Sequence, residues 1–217
     1  MISCDEHSAS EHSAGEKAIL DTAVRLFSEH GFEGVSMRAV ASEAGVSKSN
    51  IYHHFESKQA LYLAIMQSSA ARLSEMVENL AEGKGAFDER LREFARAHLA
   101  HLFENATTVR LMLRELFAGT PRLQRAMVEQ VVGGIFERLF NIFAKGQETG
   151  LLRPGLDPGL CAFLILGSDL FYFQTHDLEQ YPPLNKYARP PERFSEEMMD
   201  IVLHGMLVQP SQGRAGA

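Results

Sequence analysis

The sequence predicts an all-α protein, and three observations predict it. Apolar residues recur at three- and four-residue spacing through most of the chain. No long stretch alternates apolar and polar as a strand would, and Pro is scarce within the helical stretches. Of 217 residues, 45% are hydrophobic, enough to build one mid-sized domain or two small ones around a proper core.

Residues 1–16 are rich in Ser, His, Glu and Ala, carry four acids and no Lys or Arg, and are expected to form a disordered acidic leader. Lys17 to His30 follows as a first helix with Leu20, Ala23, Val24 and Phe27 on one stripe, ended by Gly31. Ser36 is an expected N-cap for a short second helix striped by Met37, Val40, Ala41 and Ala44. Gly45 supplies a sharp turn, Val46 plugs the angle, and Ser47 caps a third helix from Lys48 to about Phe55. Ser57 opens a fourth helix that runs past Met66 toward Leu80, before the break at Ala81-Glu82-Gly83-Lys84-Gly85.

Phe87 to Glu104 reads as a fifth helix with Phe87, Leu91, Phe94, His98 and Leu102 on one side. Thr107 to Ala118 is a short sixth, closed by Gly119-Thr120-Pro121. A long seventh helix, Pro121 to about Gly150, has two apolar stripes and is expected to be buried on most sides. Asp157-Pro158 caps an eighth, apolar from Leu160 to Phe173. A Pro-rich loop leads to a last helix, Pro191 to about Leu207, showing Phe194, Met198, Ile201, Val202 and Gly205. Residues 209–217 read as a frayed tail.

The third helix carries the chemistry. At ~100° per residue, Ile51, His54 and Phe55 share one side with Ser47, and Lys48, Ser49, Tyr52 and His53 share the other. The outward set is a cation, a hydroxyl, a phenol and an imidazole, the groups that donate to phosphate oxygens and base edges. An ordinary surface helix would more often mix Glu and Lys there. Two short helices at a Gly turn, the second with this face, read as a helix-turn-helix whose second helix enters the major groove. The plainer reading is two packed helices of a bundle.

Residues 17–63 resemble the DNA-binding domain of the TetR (TetR/AcrR) family of bacterial repressors. The match lies in Ala23-Val24-Arg25-Leu26-Phe27 with Gly31-Phe32, in Val40-Ala41-Ser42-Glu43-Ala44-Gly45-Val46-Ser47, and in Ile51-Tyr52-His53-His54-Phe55 with Ser57-Lys58 and Leu61. The remainder resembles the family in helical layout only. The resemblance implies a three-helix DNA-binding domain over 17–63, an effector-binding and dimerisation bundle over 64–208 with a ligand cavity, and a homodimer on a pseudo-palindromic operator. It makes Arg38, Ser47, Lys48, Ser49 and Asn50 candidates for base or backbone contact. Ser36, Tyr52, His53 and Lys58 become candidates for phosphates, and His54 structural. Lys58 sits at a helix start, where the dipole disfavours a cation unless a phosphate is near. In many family members the N-terminal arm is basic and reaches the minor groove. This leader is acidic, which counts against such a contact.

Charge bears on the same point. The formal net charge is −7, which argues against a sequence-blind nucleic-acid coat. Residues 17–66 hold five bases and five acids, so DNA binding has to come from placing Arg38, Lys48 and Lys58 on one face with the acids turned elsewhere. With about 6 phosphates neutralised per dimer, binding is expected to weaken strongly as salt rises.

The resemblance also implies dimerisation through the last two helices, with Leu166, Leu170, Met198, Ile201, Val202 and Gly205 as interface candidates against the alternative of ordinary core. It implies an effector cavity among the fifth to eighth helices. The Phe-rich second half suits an apolar or aromatic ligand, with Phe94, His98, Phe117, Phe136, Phe140, Asp169 and Tyr172 as candidate lining. Most of these Phe residues are equally readable as plain core. Asp169 in an apolar run needs a partner if buried, and His98, Tyr172 or a ligand cation could serve. Enzyme fingerprints are missing from the sequence, and no cofactor is expected. His98 with His101, and His53 with His54, lack a third metal ligand at usable spacing. The alternatives are a DNA-binding regulator without effector and, more remotely, a metal-responsive sensor. Cys4 and Cys161, the lack of a basic-then-apolar leader and the shortness of the apolar run 160–173 point to reduced thiols, a cytoplasmic protein and no membrane partner.

Overall fold

The computed structural model describes residues 4–186 and 188–207, with side-chain surroundings from residue 15 onward. Residues 1–3 of the acidic leader and the expected tail 209–217 lie outside the described residues. The helices are α1 (Cys4–Gly34), α2 (Met37–Glu43), α3 (Lys48–His54), α4 (Lys58–Glu82), α5 (Phe87–Glu104), α6 (Ala106–Ala118), α7 (Pro121–Met127), α8 (Gly133–Glu148), α9 (Pro158–Thr175) and α10 (Pro191–Met206). A π-helical turn, Val128–Val132, joins α7 to α8. No strand forms among the described residues, only an isolated antiparallel bridge between Leu152 and Leu207.

Two compact units emerge. One comprises residues 1–71 with 105–132, the other 72–104 with 133–217. In the first, α1 packs on α2 and α6, and α2 on α3. Ile19, Ala23 and Phe27 of α1 are fully buried with Val40, Ile51, Leu61 and Tyr62. Phe27 and Phe32 each meet the Tyr62 ring edge-on at 5.1 Å. Burial pushes the Tyr62 phenol up, and Glu115 adds to the shift.

Three expectations need correction here. The helix α1 begins at Cys4 and so takes in most of the segment expected as a disordered leader. Its Ala and Glu residues favour a helix, and a formed helix extends at little cost per residue. The buried stripe of α1 starts at Ile19, with Leu20 and Val24 only half-buried. The break at Gly31 stands, with φ 74°. Finally, the long seventh helix is interrupted by the π turn, and its expected burial on most sides is incomplete. Leu123, Met127, Val131, Ile135 and Leu139 are buried, while Val128 is exposed and Phe136 and Phe140 are half-exposed. β-branched Val128, Val131 and Val132 followed by Gly133-Gly134 lower the cost of leaving α geometry.

In the second unit α5, α9 and α10 pack on one another, and α8 on α9. The expected face of α5 is buried throughout, from Phe87 to Leu102. The buried face of α10 is Ser195, Met199, Leu203 and Met206, so the stripe read from the sequence is the outer one. Phe194 stacks on Tyr172 at 4.1 Å, and the Tyr172 hydroxyl donates to Arg189 O at 2.5 Å, which ties the loop before α10 to α9.

Candidate nucleic-acid interface

The helix-turn-helix is built by its caps. Ser36 Oγ accepts from Ala39 N, and Ser47 Oγ accepts from Asn50 N, each at 3.1 Å. These bonds satisfy first-turn amides that would otherwise be orphaned. Between the helices Gly45 takes φ 69°, and Val46 N donates to Ala41 O at 2.9 Å, closing the turn. Ile51 and Phe55 fasten α3 from beneath, and both are buried.

What remains outside is the expected polar face. Arg38, Ser47, Lys48, Ser49, Asn50, Tyr52 and His53 are all exposed, as is Ser36. Arg38 and Lys48 have no ion-pair partner among the described residues. Lys48 Nζ lies 5.9 Å from the Tyr52 ring, and Ser47 Oγ and Ser49 Oγ share a 2.9 Å hydrogen bond. His54 is half-buried against its neighbours His53 and Phe55. Four of the five acids of residues 17–66 sit in ion pairs, Asp21 with Lys17, Glu29 and Glu43 with Arg25, and Glu33 with Lys58. Glu43 accepts from Arg25 Nη2 of α1 at 2.6 Å, and Glu33 lies 3.8 Å from Lys58 Nζ. The net result is a cationic and hydrogen-bonding face on α3 and the start of α2.

Lys58 departs from its expected role. Its ammonium donates to Phe32 O at 2.8 Å and sits 4.4 Å from the Phe32 ring centroid, with only a quarter of the side chain exposed. The α1 helix ends in this region, and unpaired carbonyls at a helix C-terminus attract a cation. The penalty of a lysine at the start of α4 is therefore met inside the protein, with no phosphate required. Ser57 Oγ caps α4 by accepting from Ala60 N at 3.1 Å.

The candidate effector residues fall into separate groups. Phe94, His98 and Asp169 do come together in the second unit. Phe94 stacks parallel on His98, centroids 6.0 Å apart, and His98 Nδ1 lies 2.8 Å from Asp169 Oδ2. Asp169 is fully buried and His98 is 3% exposed, while Asp169 Oδ1 is buried with no hydrogen-bond partner. Burial raises the Asp169 carboxyl above the usual aspartate range, against the pull of His98. Tyr172, one turn along α9, is buried, and its phenol is pushed up to about 12 by burial. Phe136 and Phe140 form an outer cluster with exposed Phe163. Phe117 is 78% exposed on α6, in the other unit, so it lines no cavity in the bundle. The sequence pattern could not separate these, because helical spacing marks an apolar stripe without saying what covers it.

Of the interface candidates, Leu166 packs into the core of its own unit, Leu170, Met198 and Val202 are half-buried, and Ile201 and Gly205 are exposed. Leu160, Leu164 and Phe171 of α9, which are not among those candidates, are also exposed. Cys161 is a buried free thiol, raised by burial. Among the described residues no three His, Cys, Asp or Glu gather as a metal set, and no helix is long and apolar enough to cross a membrane.

Comparison with known proteins extends the geometry. The profile of the bacterial regulatory proteins of the tetR family matches residues 19–65, and that of the tetracyclin repressor-like C-terminal domain matches residues 88–180. The HTH-type transcriptional regulator RutR of Escherichia coli K12 is 32% identical over 164 residues, 74% of each chain. The HTH-type transcriptional repressor AcnR of Corynebacterium diphtheriae is 41% identical over 70 residues, 32% of this chain and 37% of that protein. Among solved structures, the TetR family regulator PfmR of Thermus thermophilus superposes with TM-score 0.64 at 26% identity, covering 86% of this chain and 97% of PfmR. FadR of Bacillus subtilis, solved with stearoyl-CoA, superposes with TM-score 0.72 at 21% identity, over 87% and 98% of the two chains.

Proposed function

The chain belongs to the tetR family of bacterial regulatory proteins, and from that premise we propose that it is a repressor that grips a pseudo-palindromic operator as a homodimer and lets go when a small effector binds. The observation that carries this reading is the outer face of α3. Lys48, Ser49, Asn50 and Tyr52 stand exposed on a helix pinned by the Ser47 cap and by buried Ile51. Side chains held on a rigid element read base edges better than side chains on a loop. In this reading Arg38, Ser47, Lys48, Ser49 and Asn50 meet bases or the nearby backbone, and Ser36, Tyr52 and His53 hold phosphates. Lys58 acts at one remove, by fixing the start of α4 to the end of α1.

A single helix-turn-helix covers too few base pairs for useful specificity, so two copies are needed. Support for pairing through α9 and α10 comes from Leu160, Leu164, Phe171 and Ile201, four large apolar side chains left in solvent on those helices. The effector belongs in the unit of residues 72–104 and 133–207, and α4 is the element that reaches from the DNA-binding half of the chain into it. For a hundredfold loss of operator affinity the effector must favour the released state by about 3 kcal/mol.

Selection of bound sequences from a random duplex pool, at moderate salt, tests the proposal. The expected result is a two-fold motif with half-sites about one helical turn apart. No enrichment would remove the DNA role and leave the fold. A selected operator with a flat response to a broad ligand panel would favour a regulator without effector.

A further inference from the structure

The second unit holds a cleft that none of the expected effector residues lines. Its volume is about 630 Å³, and its walls come from the end of α4, the start of α5 and one face of α8. That size falls within the roughly 300–1,000 Å³ of small-molecule sites. The floor is apolar: Val77, Leu80 and Phe87 are buried there. The rim is cationic. Arg138 and Lys145 share the α8 face, two turns apart, and Arg90 faces them from α5.

The three cations are not equivalent. Arg138 is engaged, donating to Glu78 at 3.2 Å and to Ser74 Oγ at 2.6 Å. Arg90 is immobilised but not neutralised. Its Nη1 donates to Leu80 O at 2.6 Å and to Ala81 O at 3.0 Å, both uncharged acceptors at the end of α4. Its Nε is buried without a partner, and its Cζ lies 5.8 Å from the Phe87 ring. Nη2 has no partner among the described residues, so the guanidinium keeps its full charge and one nitrogen free to donate. Lys145 is exposed on the rim with no ion-pair partner among the described residues. Against these stands one unpaired carboxylate on the rim, Glu82.

We infer that this cleft binds a small organic monocarboxylate with an apolar body, its carboxylate between Arg90 and Lys145 and its body on Val77, Leu80 and Phe87. A fixed guanidinium and a mobile ammonium around one gap suit a planar carboxylate. The apolar floor selects against small hydrophilic anions, and Glu82 selects against dianions by repulsion. The inference rests on the effector reading above in naming the class of effector, but the binding site stands on its own geometry.

The test is calorimetric titration of the full chain with decanoate and 4-phenylbutyrate, and with their uncharged amides. Both carboxylates should bind, and the amides should bind about tenfold more weakly, because a charge-assisted bond is lost. Lys145→Met should weaken the carboxylates about fivefold and leave the amides unchanged. Glu82→Gln should tighten the carboxylates. Both substitutions lie at exposed positions, so each variant should melt like the wild type. Failure of both carboxylates to bind, equal binding of acids and amides, or indifference to both substitutions would overturn the inference. Operator binding separates the two levels. Carboxylates that bind as described without releasing operator refute the effector reading alone. Carboxylates that fail these binding tests while another compound releases the operator refute this site alone.

Discussion

Lys58 and Phe32 are joined twice, through a 2.8 Å hydrogen bond from ammonium to carbonyl and through the same ammonium over the ring at 4.4 Å. This contact favours an internal role over a phosphate contact for the lysine at the foot of α4. Lys58→Met should destabilise the fold by about 1–2 kcal/mol, since a charged hydrogen bond and a cation–π contact are lost together. It should also weaken operator binding with the slope of log K against log salt unchanged. A slope shallower by about 0.9 for each lost contact would instead reveal a phosphate ligand.

Lys48 makes the opposite prediction. It is exposed and unpaired on the outer face of α3. Lys48→Ala should cost about 1–3 kcal/mol on the operator and clearly less on random duplex, if it reads a base. Equal loss on both, measured by fluorescence anisotropy at one salt concentration, would reduce it to a phosphate contact.

The His98–Asp169 pair should be felt in stability and in its pH dependence. Removing His98 leaves the buried Asp169 carboxyl without its hydrogen-bond partner, so His98→Ala should cost about 1–3 kcal/mol in urea unfolding. Asp169 has a folded pKa above its ordinary value because burial disfavours the carboxylate. The folded state therefore prefers the protonated acid. The stability this lends is fully present below the ordinary aspartate range, and it is lost as pH rises through the folded value. Asp169→Asn has no proton to lose. Its stability relative to wild type should climb with pH through that window, and a difference that stays flat would contradict the assignment.

Phe171 and Ile201 are 72% and 76% exposed, so charging them leaves the protomer's core intact. Phe171→Glu with Ile201→Glu should give a folded monomer by sedimentation velocity. Operator affinity should fall by far more than any single base contact accounts for, because the second half-site is lost. A dimer that survives both substitutions would place the interface elsewhere.

Much of the DNA-facing half was legible because its determinants are local. Ser36, Ser47 and Ser57 act as caps within three residues of the amides they satisfy, and Gly45 takes the positive φ its turn requires. The rest depends on residues far apart in the chain. Arg114 Nη2 donates to Phe27 O across 87 positions, and Tyr62 OH to Leu111 O across 49. These bonds attach α6 to α1 and to α4, and no periodicity in any of the three helices announces them. The cleft was illegible for the same reason, since Arg90 and Lys145 lie on separate helices. The different surroundings of Phe117, Phe136 and Phe140 were illegible because a stripe of Phe looks alike in sequence whether a cavity, a core or solvent meets it. The internal contact of Lys58 was illegible because its acceptor, Phe32 O, belongs to a different helix.

The bare apolar side chains of α9 and α10 have a last consequence, for handling as much as for function. If a second copy covers Leu160, Leu164, Phe171 and Ile201, assembly and folding share one free energy. The melting temperature then has no single value. It rises with the amount of protein in the tube, and a cell that makes few copies holds a less durable repressor than one that makes many.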